Sequence, residues 1–143
     1  MLITPSALPG PPGGRSFVGA DHGGLPVSLF LVRMPPGSGP KLHRHPYAEI
    51  FVVDTGQADF QVGESRLTAH AGEILIAPAG AAHRFTSAGR DELRLTAIHT
   101  AATIETEWLA PDAGPTSGEQ VEHRPPAPDG TSRRGDPHPL TRT

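Results

Sequence analysis

The sequence predicts an all-β fold, a barrel or sandwich made of short strands. Gly and Pro each occur 17 times among the 143 residues, far above their average use, which is typical of short strands joined by tight turns. Short apolar runs recur between these turns, and no helical period appears before the last part of the chain. The length fits a single domain that buries a substantial core.

The strands are predicted in quick succession along the central part of the chain. An edge strand precedes seven others, at residues 15–18, 27–34, 49–53, 58–62, 66–69, 74–77, 83–87 and 93–99. Pro35–Gly37 ends the first long run, and Gly63–Ser65 predicts a tight hairpin turn. Ile50–Val53 is apolar on both faces. Its outward side chains need cover, which predicts a homodimer that pairs sheets.

The two ends of the chain differ in composition from this central part. Residues 1–14 are rich in Pro and Gly and are predicted to be a flexible segment without regular structure, so the β domain spans 15–109. Residues 110–143 are predicted to be a disordered, Pro-rich tail, because Val121 and Leu140 are the only large aliphatics from Pro111 onward. Two such residues cannot offset the entropy cost of ordering the segment.

Four candidate metal ligands lie in two short patterns. His43, His45 and Glu49 share strand parity, so in an extended chain their side chains point to one side. Pro46 limits ladder pairing between them and predicts a turn or bulge there, and His83 follows a turn rich in Gly and Pro. Taken singly, each is an ordinary surface, strand or loop residue. Together they predict a site for one divalent transition metal ion, that is iron, manganese, nickel, copper or zinc. The absence of cysteine excludes thiolate ligands and disulfides.

With these residues the sequence resembles the cupin superfamily, in its small single-domain form. The resemblance covers the chain from about Leu25 to Leu109. The family's two motifs are matched at Gly37, His43, His45, Glu49 and Gly56, then at Gly72, Pro78, Gly80 and His83, and Ser87 stands where the family usually has Asn. The resemblance implies a double-stranded β-helix, a jelly-roll barrel, with those His and Glu residues as metal ligands.

Two residues of the first motif are candidate catalytic groups. Four protein ligands on an octahedral metal leave two positions for dioxygen, water or substrate oxygens, and a redox-inert metal acts there as a Lewis acid. Glu49 is then either a permanent ligand or a carboxylate that swings off to act as a base. Tyr47, the only tyrosine, either donates a proton or packs at the barrel mouth.

Other side chains are weaker candidates. Arg33 either projects inward to bind an anionic group or is solvated at a strand end. His99 is a partner of the ligands, a proton shuttle or a satisfied histidine near the rim. Residues 103–109 are predicted to form a short helix or an arm that lays Trp108 on the barrel, with a substrate platform as the alternative role of that ring. The aromatic rings expected to line the interior, which favour an apolar or aromatic substrate, are Phe51, Phe60 and Phe85.

These features leave three kinds of function open. The first is a metal-dependent dioxygenase-like enzyme acting on a small organic molecule, similar to the flavonol- or thiol-oxidising cupins. The second is a non-redox isomerase, lyase or cyclase, and the third is a non-catalytic small-molecule-binding protein. A net charge of −3 without a Lys/Arg cluster argues against a nucleic-acid partner. No apolar run approaches a membrane span, and the N-terminus lacks a secretory signal, so a cytoplasmic protein is expected.

Overall fold

Ten strands and two short 3-10 helices account for the regular structure of residues 1–111, which are the residues that the computed structural model describes. The 3-10 helices are Pro5–Ala7 and Gly19–His22. The strands are β1 (Gly14–Phe17), β2 (Ser28–Met34), β3 (His43–Arg44), β4 (Glu49–Thr55), β5 (Gln57–Val62), β6 (Ser65–His70), β7 (Ile74–Ala77), β8 (His83–Ala88), β9 (Leu93–His99) and β10 (Glu107–Trp108).

The strands form two five-stranded antiparallel sheets. Sheet I has the order β1-β2-β9-β4-β7, and sheet II has the order β10-β3-β8-β5-β6. Chain neighbours such as β3 and β4 lie in different sheets, so the chain passes back and forth between the two layers. This is the all-β jelly-roll architecture that the sequence predicts.

The space between the sheets is filled by alternate side chains of each strand. Along β4 the buried residues are Glu49, Phe51 and Val53, while Ile50 and Val52 face outward. The apolar part of this interior consists of Val32, Phe51, Val53, Ala58, Phe60, Ala69, Leu75, Ala77, Phe85, Leu93, Leu95 and Ala97. The interior is therefore a packed core, with the polar residues of the next subsection at one end of it.

The predicted strands agree with the observed ones to within two residues at each end. The hairpin at Gly63 is confirmed, since Val62 pairs with Ser65 across a two-residue turn. Gly56 has φ +78°, and a Cβ there would lie 2.9 Å from the Glu92 carbonyl oxygen, so only glycine fits the turn between β4 and β5.

Some expectations need correction. The N-terminal segment contains one 3-10 turn, at Pro5–Ala7, where the sequence favours irregular chain. Of the two alternatives for residues 103–109, the arm is observed and the helix is not, and the arm includes a short strand, β10. The predicted tail lies, from residue 112 onward, outside the described residues.

Arg33 does not project inward. Ser28 and Val32 are the buried residues of β2, so Arg33 has the opposite parity and faces solvent. Its side chain is 61% exposed and pairs with Glu92 at 3.3 Å. The solvated alternative is the correct one.

Candidate metal centre

The four predicted ligands are brought together by strand pairing and by one crossing between sheets. His43 on β3 lies directly opposite His83 on β8 in sheet II. After His45 the chain leaves sheet II at Pro46 and enters sheet I, where Glu49 begins β4. The Gly80 N–H donates to the His45 carbonyl at 2.8 Å and ties the turn before His83 to this crossing.

The side chains converge on one carboxylate oxygen. Glu49 Oε2 lies 2.8 Å from His83 Nε2 and 3.0 Å from His45 Nε2. One potential ligand atom from each of His43, His45, Glu49 and His83 lies within 4.8 Å of the others, and all four residues are buried. The structure therefore assembles the predicted cluster in the barrel interior, in a form that can hold a metal ion.

The three histidines share one orientation. Each Nδ1–H donates to a backbone carbonyl: that of Lys41 for His43 at 2.7 Å, and that of Ala81 for His83 at 2.8 Å. For His45 the acceptor is the Glu105 carbonyl at 2.5 Å. A carbonyl only accepts, so Nδ1 carries the proton of each neutral ring. Such bonds fix the tautomer and the ring orientation of metal-ligating histidines.

This donor set fits a cation better than it fits an internal hydrogen-bond network. A neutral imidazole has one N–H, which Nδ1 uses here, so the Nε2 lone pairs face an anionic carboxylate. His45 Nε2 is buried and has no hydrogen-bond partner among residues 1–111, although the carboxylate is near. Buried polar atoms without partners are rare and costly. A divalent cation between the Nε2 atoms and Glu49 would satisfy all of them.

The ionisation of the cluster suits metal binding at neutral pH. Burial lowers the pKa of His43 to about 4, so this ring is neutral. Burial alone would raise the pKa of Glu49, but the close imidazoles of His45 and His83 outweigh it and lower the pKa to about 2. Burial would likewise lower the pKa of His45, and the nearby Glu49 carboxylate and Glu105 carbonyl reverse this and raise it. A carboxylate among imidazoles results, and its charge offsets half that of a divalent ion.

His99 joins the cluster from sheet I. It lies opposite Glu49 in the β4–β9 pair, and its Nε2 is 3.2 Å from Glu49 Oε1. Its Nδ1 lies 3.3 Å from the Tyr47 hydroxyl. His99 therefore has a hydrogen-bond partner, Tyr47, and also contacts a candidate ligand, Glu49. Tyr47 is half-buried and stacks on the His45 ring with centroids 5.3 Å apart.

The arm, residues 103–109, covers one side of the cluster. The Trp108 ring lies 5.2 Å from the His43 ring and is 63% exposed, so it rests on the barrel at the edge of the site. A solvent-open pocket of about 410 Å³ reaches the cluster at His45; its other lining residues are Arg44, Pro46, Gly80, Glu105, Thr106 and Glu107. The contribution of Glu105 comes from its backbone, so no motif of the sequence indicates it.

The predicted aromatic rings lie in the interior, beneath the histidines. Phe51 contacts Phe60 at 5.0 Å and Phe85 at 5.9 Å between ring centroids. The Phe51 ring also meets His83 edge-on at 5.8 Å. Their interior position is confirmed, while the preference for an apolar or aromatic substrate stays a prediction.

Fold and cluster together define a small jelly-roll protein with a candidate metal site at one end of its barrel. The sequence matches the family described as "Cupin domain" over residues 30–99. Residues 30–99 are therefore a domain of the cupin superfamily. Comparison with curated proteins gives no match.

Solved structures show the same fold. A cupin-like protein from Thermotoga maritima is 23% identical, with a TM-score of 0.60 over 67% of this chain and 74% of that one. A cupin 2 domain-containing protein from Halorhodospira halophila is 19% identical, with a TM-score of 0.60 over 70% and 72%. A structure of oxalate oxidase is 23% identical, with a TM-score of 0.55 over 59% of this chain and 47% of that one. Likeness at these identities shows the fold alone.

Proposed function

We propose that the protein is a metal-dependent enzyme with dioxygenase-like chemistry on a small organic molecule. His43, His45, Glu49 and His83 hold one divalent transition metal ion. The observation that carries this proposal is the cluster of three buried histidines and one buried carboxylate, with one ligand atom of each residue within 4.8 Å of the others. Iron at such a site would supply oxygen chemistry, whereas zinc, nickel or manganese would supply Lewis-acid chemistry.

The contacts of Glu49 favour a permanent ligand over a base that swings away. Its Oε2 faces His45 and His83, and its Oε1 faces His99 at 3.2 Å. Movement of the carboxylate would break contacts on both oxygens inside a buried site, which is costly. We therefore assign Glu49 to metal binding.

The contacts of Tyr47 favour orientation over proton donation. Its oxygen accepts the Glu105 N–H at 3.0 Å, so its own proton is directed to His99 Nδ1 at 3.3 Å. Burial raises the pKa of Tyr47, so the hydroxyl stays protonated at neutral pH. A catalytic role as proton donor would require this bond to His99 to open.

Elemental analysis of protein purified without an affinity tag tests the metal. We expect near-stoichiometric transition metal in the wild type and its loss in His45→Ala, because removing one of four ligands opens the cage. His70→Ala is the matched control, since His70 is an exposed histidine at the last position of β6 and lies outside the cluster. Equal metal content in wild type and His45→Ala would overturn the proposal.

Oxygen consumption then tests the reaction class. Protein reconstituted with Fe²⁺ is mixed with small aromatic and thiol compounds under air, and dioxygen uptake is followed against His45→Ala. Uptake that requires both the metal and a substrate supports the dioxygenase-like reaction. Substrate turnover without uptake, with zinc, nickel or manganese bound, would replace it by isomerase, lyase or cyclase chemistry. Ligand binding that His43→Ala leaves unchanged would replace both by a non-catalytic binding protein.

We further propose that the protein is a homodimer through the outer face of sheet I. One cross-strand row on this face is apolar on all five strands: Phe17, Leu29, Ile98, Ile50 and Ile76. Ile76 is 59% exposed. Contiguous apolar patches of this kind mark interaction surfaces, and a second copy offers the same face.

Sedimentation velocity tests the assembly. We expect Ile76→Lys to shift a dimer to monomer, because the substitution places a charge in the proposed interface. Thr86→Lys, an exposed position on β8 in sheet II, is the control and keeps the dimer. A monomeric wild type would overturn the proposed dimer. Within residues 1–111 no helix is long and apolar enough to cross a membrane.

A further inference from the structure

The arm is fastened beside the metal ligands by its own strand. β10 pairs with β3, so Glu107 lies opposite Arg44 and Trp108 opposite His43. The Arg44 guanidinium donates to both Glu107 oxygens, at 2.7 and 2.9 Å. The Leu109 N–H donates to the Leu42 carbonyl at 2.9 Å. A two-residue strand and a bidentate ion pair thus hold the arm against the strand that carries His43.

The backbone N–H and carbonyl of Glu105 contact two stacked side chains at the cluster, those of Tyr47 and His45. The Glu105 carbonyl accepts the His45 Nδ1–H at 2.5 Å, and the Glu105 N–H donates to the Tyr47 oxygen at 3.0 Å. His45 and Tyr47 stack with their planes 4° apart, so one residue of the arm holds two parallel rings. Neither bond uses the Glu105 side chain.

From Tyr47 a hydrogen bond to His99 and then a close contact of His99 with Glu49 lead to the carboxylate. With its oxygen accepting from the arm, Tyr47 donates to His99 Nδ1 at 3.3 Å. His99 then has Nδ1 as acceptor and carries its proton on Nε2, which lies 3.2 Å from Glu49 Oε1. This tautomer is opposite to that of the three ligand histidines, whose Nδ1 atoms donate to carbonyls. Glu49 Oε1 thus lies against His99, while Oε2 faces His45 and His83.

We propose that the arm is a positioning element of the metal site, in which the Glu105 backbone orients His45 directly and Glu49 through Tyr47 and His99. The docked arm keeps Glu49 monodentate and sets the affinity of the site for its metal. The inference rests on the proposed metal binding and adds residues that are not ligands. Partners of this kind typically change metal affinity by about 10–100-fold when removed.

Co²⁺ titration followed by visible absorption tests the inference, since it reports both affinity and ligand geometry. Tyr47→Phe removes only the hydroxyl and keeps the ring on His45. We expect its dissociation constant for Co²⁺ to rise at least about tenfold, with an altered Co²⁺ spectrum. His99→Leu is expected to do the same, and His99→Gln to recover part of the affinity, because an amide N–H can replace the Nε2–H.

A pair of variants at Glu105 tests the backbone contacts. Glu105→Pro removes the N–H that Tyr47 accepts, whereas Glu105→Ala keeps both backbone groups. We expect Glu105→Pro to bind Co²⁺ at least about tenfold more weakly than Glu105→Ala. Thr103→Ala, an exposed position at the start of the arm, controls for general effects on this segment.

The outcomes separate this inference from the proposed function. A wild type that binds no Co²⁺ overturns both. Wild-type Co²⁺ binding that is lost in His45→Ala but unchanged, in affinity and spectrum, in Tyr47→Phe and His99→Leu overturns the positioning role alone. Weaker binding in those two variants, with folding unchanged by circular dichroism, supports it.

Discussion

The barrel interior has two layers that the same strands build with opposite chemistry. At one end lie the histidines and Glu49, and at the other end lie the phenylalanines and leucines of the core. β4 contributes Glu49 to the first layer and Phe51 to the second, and β8 contributes His83 and Phe85 in the same way. Two residues along a strand are enough to pass from one layer to the other.

The two layers contribute to the fold in different ways. The apolar layer gains free energy because its side chains leave water, at about 25 cal/mol per Å² of apolar surface. The polar layer loses hydration for several ionisable groups, which costs free energy unless each group finds a partner. The phenylalanines thus support the site from below. A bound cation would offset the free energy that the polar layer loses when its ionisable groups leave water.

The largest expected effect is in the apolar layer. Phe51→Ala removes a fully buried ring that contacts Phe60, Phe85 and His83. We expect the free energy of unfolding of the metal-free protein to fall by about 3–5 kcal/mol. Chemical denaturation measures this, with Leu67→Ala, an exposed position on β6, as control. A loss below about 1 kcal/mol would mean that this layer does not carry the stability.

The polar layer is expected to gain stability from metal alone. With free metal at about 100 times its dissociation constant, binding to the folded state adds about 2.7 kcal/mol. Thermal unfolding with and without Zn²⁺ checks this in the wild type, in His83→Ala and in the surface control His70→Ala. Stabilisation that persists in His83→Ala would show that the metal acts elsewhere.

Acid is expected to destabilise the metal-free protein through the polar layer. Burial lowers the pKa of His43 from 6.5 to about 4. Between these two pH values the unfolded chain binds a proton at His43 and the folded chain does not, so the free energy of unfolding falls as the pH falls. The lowered pKa of His99, also caused mainly by burial, acts in the same sense. The raised pKa of His45 acts only above pH 6.5, and the lowered pKa of Glu49 only below pH 4.5.

Between pH 6.5 and 5 the free energy of unfolding is therefore expected to fall by about 1–2 kcal/mol, at up to about 1.4 kcal/mol per pH unit for each such group. Denaturation at several pH values measures the slope. His43→Asn should flatten it, while the exposed control His70→Asn should leave it unchanged. A stability that rises as the pH falls through this range would contradict the assignment of His43 as a buried neutral ring.

The smallest expected effect is a change in fluorescence at the rim of the polar layer. Trp108 is the only tryptophan of the chain, and its ring lies 5.2 Å from that of His43. Binding of paramagnetic Cu²⁺ to the cluster is expected to quench most of the fluorescence, whereas Zn²⁺ leaves it largely unquenched. In His45→Ala the quenching should require much more Cu²⁺. Equal quenching in the variant would place the Cu²⁺ outside the cluster.

The sequence determined eight of the ten strands of residues 1–111 and the four candidate ligands, because both follow from local rules. Alternation along a strand places His43 and His45 on one side, and Pro46 interrupts pairing so that the chain crosses between the sheets. Parity alone did not orient Arg33, since Leu29 and Leu31 beside it turned out to face outward on an apolar outer surface.

Only the tertiary structure decided what surrounds those ligands. His99 reaches Glu49 because β9 pairs with β4 in one particular register, a non-local choice that no spacing in the chain encodes. Glu105 acts through its backbone, and every residue type carries the same N–H and carbonyl, so its sequence position has no signature. The sequence shows which residue types can form a site, but the residues that orient them are brought into place only when distant segments of the chain pair.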